Sequence, residues 1–332
     1  MTHADDDLAP WQRLGPKFRL GLRARSEQEW LSHADAFGHA DRRAAQIAEA
    51  NHLLDTRHAD VFAALDDALD DCSGHNRDGE NALAASQEVL EMVQDNLRRF
   101  HPGTAPQARR DLHPLEAAAR LIPEDLLLLA PRSRDDAKDG SDKDSGFLDW
   151  VLVAAALRFP AHWRLADKMG KALAGIHEPV PHYGEILETP MDRFFTRMAV
   201  GPISHRWNWT IVTSTALFTP DRIHDAPIAV GDGISRLQVR MESQTLRKLP
   251  KSGHILFTIR TYIEPVLNWA DNGSALEDLA EMTAAMSDQL RAYKGVERYE
   301  AALKAFIETK GAPPEISRGY CRGSPDRLAA DR

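Results

Sequence analysis

Apolar positions recur at helical spacing through the first third of the chain, then alternate with polar ones in its later part. Ile47, Leu53, Leu54, Val61, Phe62 and Leu65 predict amphipathic helices across residues 40–69. Leu83, Val89, Leu90, Val93 and Leu97 repeat the pattern across 81–99, and Pro102-Gly103 ends it. Ser26-Glu27-Gln28-Glu29 has the form of a capping box and starts an earlier helix, so about 26–100 reads as a helical N-terminal region. Residues 1–25 lack a period and are expected to wrap a surface. A short helix follows Pro114, and Leu126-Leu127-Leu128-Leu129 is long enough only for a buried strand. Residues 147–159 are β-compatible despite Ala154-Ala155-Ala156. Leu165, Met169, Leu173 and Ile176 share one face of a helix over 163–176. Residues 207–215, 236–247 and 254–266 predict antiparallel strands, the last two joined by the turn Pro250-Lys251-Ser252-Gly253. Helices over 275–293 and 297–310 close the chain, giving an α+β fold in a single domain over 1–332.

Composition changes this picture at one place. Residues 132–145, rich in Asp, Lys, Ser and Gly, cannot bury apolar area and predict a solvated loop in a long hairpin connection. With 332 residues, 43% hydrophobic and 27% charged, the chain can build a substantial soluble core. Its net charge of -9 argues against a general nucleic-acid binder. No apolar run reaches the ~20 residues of a spanning helix, and the acidic start Asp5-Asp6-Asp7 is unlike a secretory signal. The expectation is a cytoplasmic protein without membrane insertion. Cys72 and Cys321, far apart, support neither a disulfide framework nor a thiolate zinc site.

Candidate chemistry begins with the hairpin. Alternation puts Gln238, Arg240, Glu242 and Gln244 on one face, and Thr258, Arg260, Tyr262 and Glu264 on one face of the return strand. Closure near Lys251 sets Arg240 near Tyr262 and Glu242 near Arg260. Two readings stay open. One is a solvated face with cross-strand ion pairs, which composition alone favours; the other is a polar wall holding a cation at Glu242 and polarising a bound group with Arg240.

His177 is the second candidate. Pro179 stops the helix, so His177 sits at its C-terminal end, where it can cap carbonyls or ligate. One imidazole does not make a zinc site, but it suffices for haem. In His205-Arg206-Trp207-Asn208-Trp209 the indoles share one face, with core packing as the default, and Arg206 and Asn208 share the other. Arg206 and Asn208 can bind a carboxylate or propionate or face water; Lys168 carries the same ambiguity. Gly231-Asp232-Gly233 is a turn signal, and no phosphate loop, nucleophile elbow or HExxH occurs.

The segment from Arg158-Phe159-Pro160-Ala161-His162-Trp163 through Lys168-Met169-Gly170 to Ile176-His177-Glu178-Pro179-Val180-Pro181 resembles the haem-dependent oxidative N-demethylase α-subunit family. Arg206-Trp207-Asn208-Trp209, Glu242-Ser243-Gln244-Thr245-Leu246-Arg247-Lys248-Leu249-Pro250 and Phe257-Thr258-Ile259-Arg260-Thr261-Tyr262 resemble it as well. So do Phe18-Arg19-Leu20-Gly21-Leu22, Trp30-Leu31 and Pro123-Glu124-Asp125-Leu126, in the expected order over residues 16–293. Two departures stand out: Ser243 occupies a position where the pattern Glu-Arg-Gln-Thr-Leu has a basic residue, and the loop 132–145 is longer.

The resemblance implies a PAS-like antiparallel sheet with a haem-side helix, wrapped by N- and C-terminal helices. It implies haem b and O2, with electrons from NADPH through a separate reductase carrying FMN and an iron–sulfur cluster. The implied reaction is oxidative N-demethylation of a small alkylamine such as dimethylamine, releasing formaldehyde. On that footing His177 is the expected iron ligand by comparison with PAS haem sensors. Lys168, Arg206, Asn208 and Arg260 are expected cofactor contacts, and Arg240, Glu242 and Tyr262 the catalytic set. The alternatives are a haem-binding PAS-like gas or redox sensor without turnover, and a structural protein without cofactor. A carboxylate at Glu242 serves an amine substrate and has no obvious use in a gas sensor.

Overall fold

The computed structural model describes residues 9–14, 21–31, 42–65, 77–102, 107–133, 148–181, 183–222 and 227–311. Its centre is one sheet of seven strands: β1 Arg23–Arg25, β2 Phe62–Ala64, β3 Asp125–Ser133, β4 Leu148–Ala156, β5 Ile203–Val212, β6 Gln238–Lys248 and β7 Ile255–Pro265. Their order is β1-β5-β6-β7-β3-β4-β2, and every neighbour is antiparallel. The chain between β4 and β5 lies over one face, and the helices flanking the central strands in sequence cover the other.

The four leucines of β3 show why the sheet is sandwiched. Successive side chains point to opposite faces, so Leu126 and Leu128 pack with Val89, Val93 and Leu97 of helix Arg77–Phe100. Leu127 and Leu129 pack instead with Leu165, Leu173 and Phe195 from the β4–β5 connection. A strand apolar on both sides is the expected result of two covered faces. Farther along the helix-covered face, Trp209, Val239, Met241 and Tyr262 meet Leu276, Leu279, Ala302 and Leu303 of the C-terminal helices.

The end of β4 is tied down by charge. Arg158 and Asp125 are both fully buried, with Arg158 Nε 3.6 Å from Asp125 Oδ1. Asp125 also accepts from the backbone N–H of Arg158 at 2.7 Å and of Phe159 at 3.2 Å. The Arg158 guanidinium donates to the carbonyls of Ala119, Ile122 and Glu124. Burial pushes the Asp125 carboxyl up to about 6, against the pull of Arg158.

Most elements fall where the hydrophobic pattern puts them, including the helix Arg77–Phe100, the hairpin β6–β7 and its turn at 250–252. Several expectations are corrected. The stretch 163–176 is not one helix but a 3-10 turn, Leu165–Asp167, and a short helix, Leu173–His177. Gly170 at φ 73° separates them, a left-handed conformation that a continuous right-handed helix excludes. Phe62 lies in edge strand β2 rather than in a helix. The helix expected over 275–293 is broken into Ala275–Ala284 and Asp288–Lys294. Ser26 and Glu29 exchange the capping-box bonds, at 2.9 and 3.3 Å, but only a turn follows at 27–29. Arg132 and Ser133 still belong to β3; the rest of the expected loop from 134 on, like Cys72 and Cys321, lies outside the described residues. Among the described residues no helix is long and apolar enough to cross a membrane.

Candidate active site

The register of β6 decides which polar residues meet. Arg240 pairs with Ile263 and Thr210, Glu242 with Thr261 and Asn208, and Gln244 with Ile259 and Arg206. Paired residues share a face, so Arg206, Asn208, Arg240, Glu242 and Gln244 stand together on the face covered by the β4–β5 connection. Met241 pairs with Tyr262 and Ser243 with Arg260. The expected neighbours Arg240–Tyr262 and Glu242–Arg260 are therefore one residue out of register, and Tyr262 and Arg260 lie on the opposite face. A one-residue slip exchanges the faces of a whole strand.

Glu242 is the node of this wall. Its Oε2 accepts from Asn208 Nδ2 at 3.2 Å and from Gln244 Nε2 at 2.9 Å, and its Oε1 lies 3.6 Å from Arg240 Nε. Arg240, 2% exposed, donates to the carbonyls of Phe159 at 2.5 Å and Leu217 at 2.9 Å. Its guanidinium thus joins the tied end of β4 to the loop after β5. Arg206 is half-buried, and its Nε has no hydrogen-bond partner. Burial lowers its pKa, and the attraction of Glu242 opposes that. Arg206, Asn208, Glu242 and Gln244 are all half-buried, so this strip is less covered than the leucine-rich region beside it.

Lys294, which nothing in the sequence singled out, reaches the backbone of β5 at Trp209. It ends helix Asp288–Lys294, just before Gly295 in the left-handed conformation. Its ammonium donates to the Trp209 carbonyl at 2.8 Å and sits 5.0 Å from the Trp209 ring. Burial pushes its pKa down to about 8, with Arg206 adding to the shift and Glu242 opposing it. The one local signal available was a basic residue in the last turn of a helix, which is common at solvated helix ends.

His177 stands, as expected, at the end of its helix. Its Nδ1 lies 2.9 Å from the Leu173 carbonyl. A carbonyl only accepts, so Nδ1 carries the hydrogen and Nε2 holds the lone pair. The ring stacks on Tyr183, with centroids 4.6 Å apart and planes 8° apart. Burial lowers the imidazole pKa first, and Lys168 and Arg206 lower it further. The neutral ring, the form that ligates metals, is therefore favoured. Lys168, in the turn after Leu165–Asp167, donates to the carbonyl of Ile176 at 2.7 Å, closing the C-terminal end of the same helix. Tyr183 opens a π-helical turn, Tyr183–Leu187.

A groove of about 440 Å³ runs between helix Glu188–Arg197 and the start of β5, lined by Arg193, Phe194, Arg197, Met198 and Ser204 among others. Ser204 and Arg206 are two apart in β5, so the groove opens on the same face as the Glu242 wall. Its volume is that of a small-molecule pocket. A smaller cavity of about 20 Å³ adjoins Arg240, with His162 on its wall at φ 62°.

The opposite face holds a different polar group. Arg260, 3% exposed, lies 5.4 Å from the Tyr262 ring, and Tyr262 is 5.9 Å from Trp207. His205 Nε2 lies 2.9 Å from Ser243 Oγ, and its Nδ1 faces Arg25 at 3.2 Å. These residues sit beneath the N-terminal and C-terminal helices rather than in the groove.

Among the described residues no three His, Cys, Asp or Glu side chains gather around a common point. The register brings Arg206, Asn208, Arg240 and Glu242 onto one face; His177 and Lys168 stand together in the β4–β5 connection, and Arg260 and Tyr262 lie on the opposite face. A family model described as haem-dependent oxidative N-demethylase, alpha subunit-like, matches residues 51–304, a span that contains His177 and the Glu242 wall.

Proposed function

The chain belongs to the haem-dependent oxidative N-demethylase, alpha subunit-like family, and from that premise we propose that it holds haem b against the Glu242 face of its sheet and oxidises an N-methyl group of a small amine. The observation that carries this reading is the posture of His177. Its Nδ1–H is spent on the Leu173 carbonyl, which fixes the tautomer and leaves Nε2 as a lone pair. Ligating histidines are oriented in this way by a carbonyl on the other ring nitrogen. The residues fit the group: a neutral imidazole for iron, and the cations Lys168 and Arg206 beside it for propionates. Asn208 supplies an amide on the same wall. Tyr262 and Arg260 have no part in the proposed site.

Bound haem supplies the activation of dioxygen. The protein's own residues bind and orient. Glu242 Oε1 is the acceptor for a substrate N–H, while Asn208 and Gln244 hold the carboxylate through Oε2. Arg240, fixed by two carbonyls, keeps a positive charge at a set position and stabilises developing negative charge. The net change consumes one O2, two electrons and two protons per methyl group, and yields the demethylated amine, formaldehyde and water. The electrons must come from outside this chain, and the alpha-subunit description fits a partner reductase that carries NADPH-derived electrons through FMN and an iron–sulfur cluster. The PAS-like description belongs to the same proposal, supported by the central antiparallel strands and by the connection laid over one of their faces.

Haem uptake is the test. Protein produced with ample haem is expected to show a Soret band, and His177→Ala is expected to change its position or abolish it. No Soret band in the unaltered protein sinks the haem reading; an unchanged band in the variant moves the ligand elsewhere. Formaldehyde release from an N-methylamine with a reductant then separates an enzyme from a sensor.

A further inference from the structure

We infer that the small cavity beside Arg240 is a binding site for one monovalent anion of halide size, a reading that does not depend on haem. The cavity lies where the segment after β4, the loop after β5 and Arg298 meet. Backbone bonds clasp the first two together: His162 N–H donates to the Thr219 carbonyl at 2.7 Å, and Thr219 N–H to the Pro160 carbonyl at 3.1 Å. His162 is held there in a left-handed conformation, φ 62°, although it carries a Cβ. Its Nδ1–H is given to the Asp221 carbonyl at 3.2 Å. Strain of this kind, held in place by its surroundings, collects at ligand sites.

The wall carries two guanidiniums, Arg240 and Arg298, and the hydroxyls of Thr213, Ser214 and Thr219, with no acidic side chain among the described lining residues. Arg240 is 2% exposed, and its one ion pair among the described residues, with Glu242 Oε1, is 3.6 Å long. A cation so deeply buried is costly without a close counter-charge. Of its five N–H groups one goes to the Leu217 carbonyl and one to that of Phe159, and Nε has no hydrogen-bond partner. Ser214 Oγ accepts from the Ala216 N–H at 3.1 Å and keeps its own hydrogen to donate. Thr219 gives its hydrogen to the Pro160 carbonyl at 3.0 Å and only closes the wall. The Asp221 carboxylate nearby is occupied by Arg164, through two bonds of 2.9 and 2.8 Å. Burial first, then Arg222, Arg240 and Arg298, hold the His162 imidazole below its ordinary pKa, which fits a positive potential at this spot. A volume of about 20 Å³ admits one guest of roughly water size. Positive charge, unspent donors and that size select a halide-like anion and exclude sulfate or phosphate. Arg240 borders the cavity and faces Glu242, so an anion there offsets part of the charge that Arg240 presents to Glu242.

The NMR line width of chloride, titrated into the full-length protein at an ionic strength held by gluconate, reads the site directly. Broadening is expected to saturate with chloride, to be reversed by bromide and to resist sulfate, which is too large for the cavity. Arg298→Gln is expected to weaken chloride binding on the order of tenfold, and Ser214→Ala about threefold. Crystals soaked in bromide are expected to show an anomalous peak inside the cavity. Circular dichroism checks that each variant folds; if one does not, the other decides, and if neither does, the bromide peak decides. Broadening that never saturates means that water alone fills the cavity, and it overturns the inference. So does sulfate competing as well as bromide, saturable broadening that both variants retain in full, or a bromide peak found only elsewhere.

Discussion

The two faces of the β6–β7 hairpin carry arginines at nearly adjacent positions and use them differently. On one face Arg240 is anchored by two carbonyls and faces Glu242, which is half-buried, as is Arg206 on the neighbouring strand β5. On the other, Arg260, Ser243, His205 and Tyr262 are all at most 4% exposed and are roofed by helices. The difference teaches that polarity along a strand does not mark a site. What marks it is which parity the surrounding elements leave uncovered, and here the β4–β5 connection covers β3 and β4 with Leu165, Leu173 and Phe195 while the polar strip beside them stays partly open.

The comparison can be broken by substitution, and the largest effect belongs to the covered face. Tyr262→Ala is expected to cost about 3–5 kcal/mol in denaturant unfolding, as for other large buried rings, with little change in amine affinity once folded. A loss below about 1 kcal/mol would show that this face is not the packed one. Next is the buried pair at the end of β4. The Asp125 carboxyl is raised from 3.8 to about 6 by burial, so the folded state holds its proton more tightly than the unfolded chain does. Its contribution to stability is complete below about pH 4 and declines as pH rises through about 6, by about 3 kcal/mol. Asp125→Asn removes that slope, and an unaltered slope between pH 4 and 6 would assign it to other groups. Glu242→Gln is expected to have the smallest structural effect, about 1–2 kcal/mol, because the amide still accepts. Its effect on N-methylamine affinity is a loss on the order of tenfold. Full affinity in that variant would remove Glu242 from the proposed site.

Much of the fold was legible because burial imposes a period. The helix Arg77–Phe100 and the leucine run of β3 follow from apolar spacing alone, and the hairpin follows from alternation closed by Pro250-Lys251-Ser252-Gly253. Its register was not legible. In β6 both parities carry charged side chains, Arg240 and Glu242 on one and Arg247 on the other, whereas in β7 Arg260 and Glu264 share a parity, so alternation within each strand could not choose between two registers one residue apart. The apolar spacing of Leu165, Met169, Leu173 and Ile176 identified residues that do pack together, but Gly170 lets a broken chain present the same side chains. The helix end at His177 and the shared face of Arg206, Asn208, Arg240 and Glu242 follow from helix-stop and alternation arguments. Lys294 had no distinguishing local signal because its contact is with a strand far away in sequence, which local pattern cannot encode.

That same lysine bears on how the molecule avoids its own kind. β1 pairs with β5 over residues 203–205, and from 206 to 212 β5 has no outer neighbour among the described residues. Such a stretch is a template for another strand. Lys294 places an ammonium on the Trp209 carbonyl of that stretch, so an incoming strand would have to displace a charge to pair there. Removing the charge would therefore invite sheet-to-sheet association in concentrated solution, a colloidal consequence of one lysine set on an open strand edge.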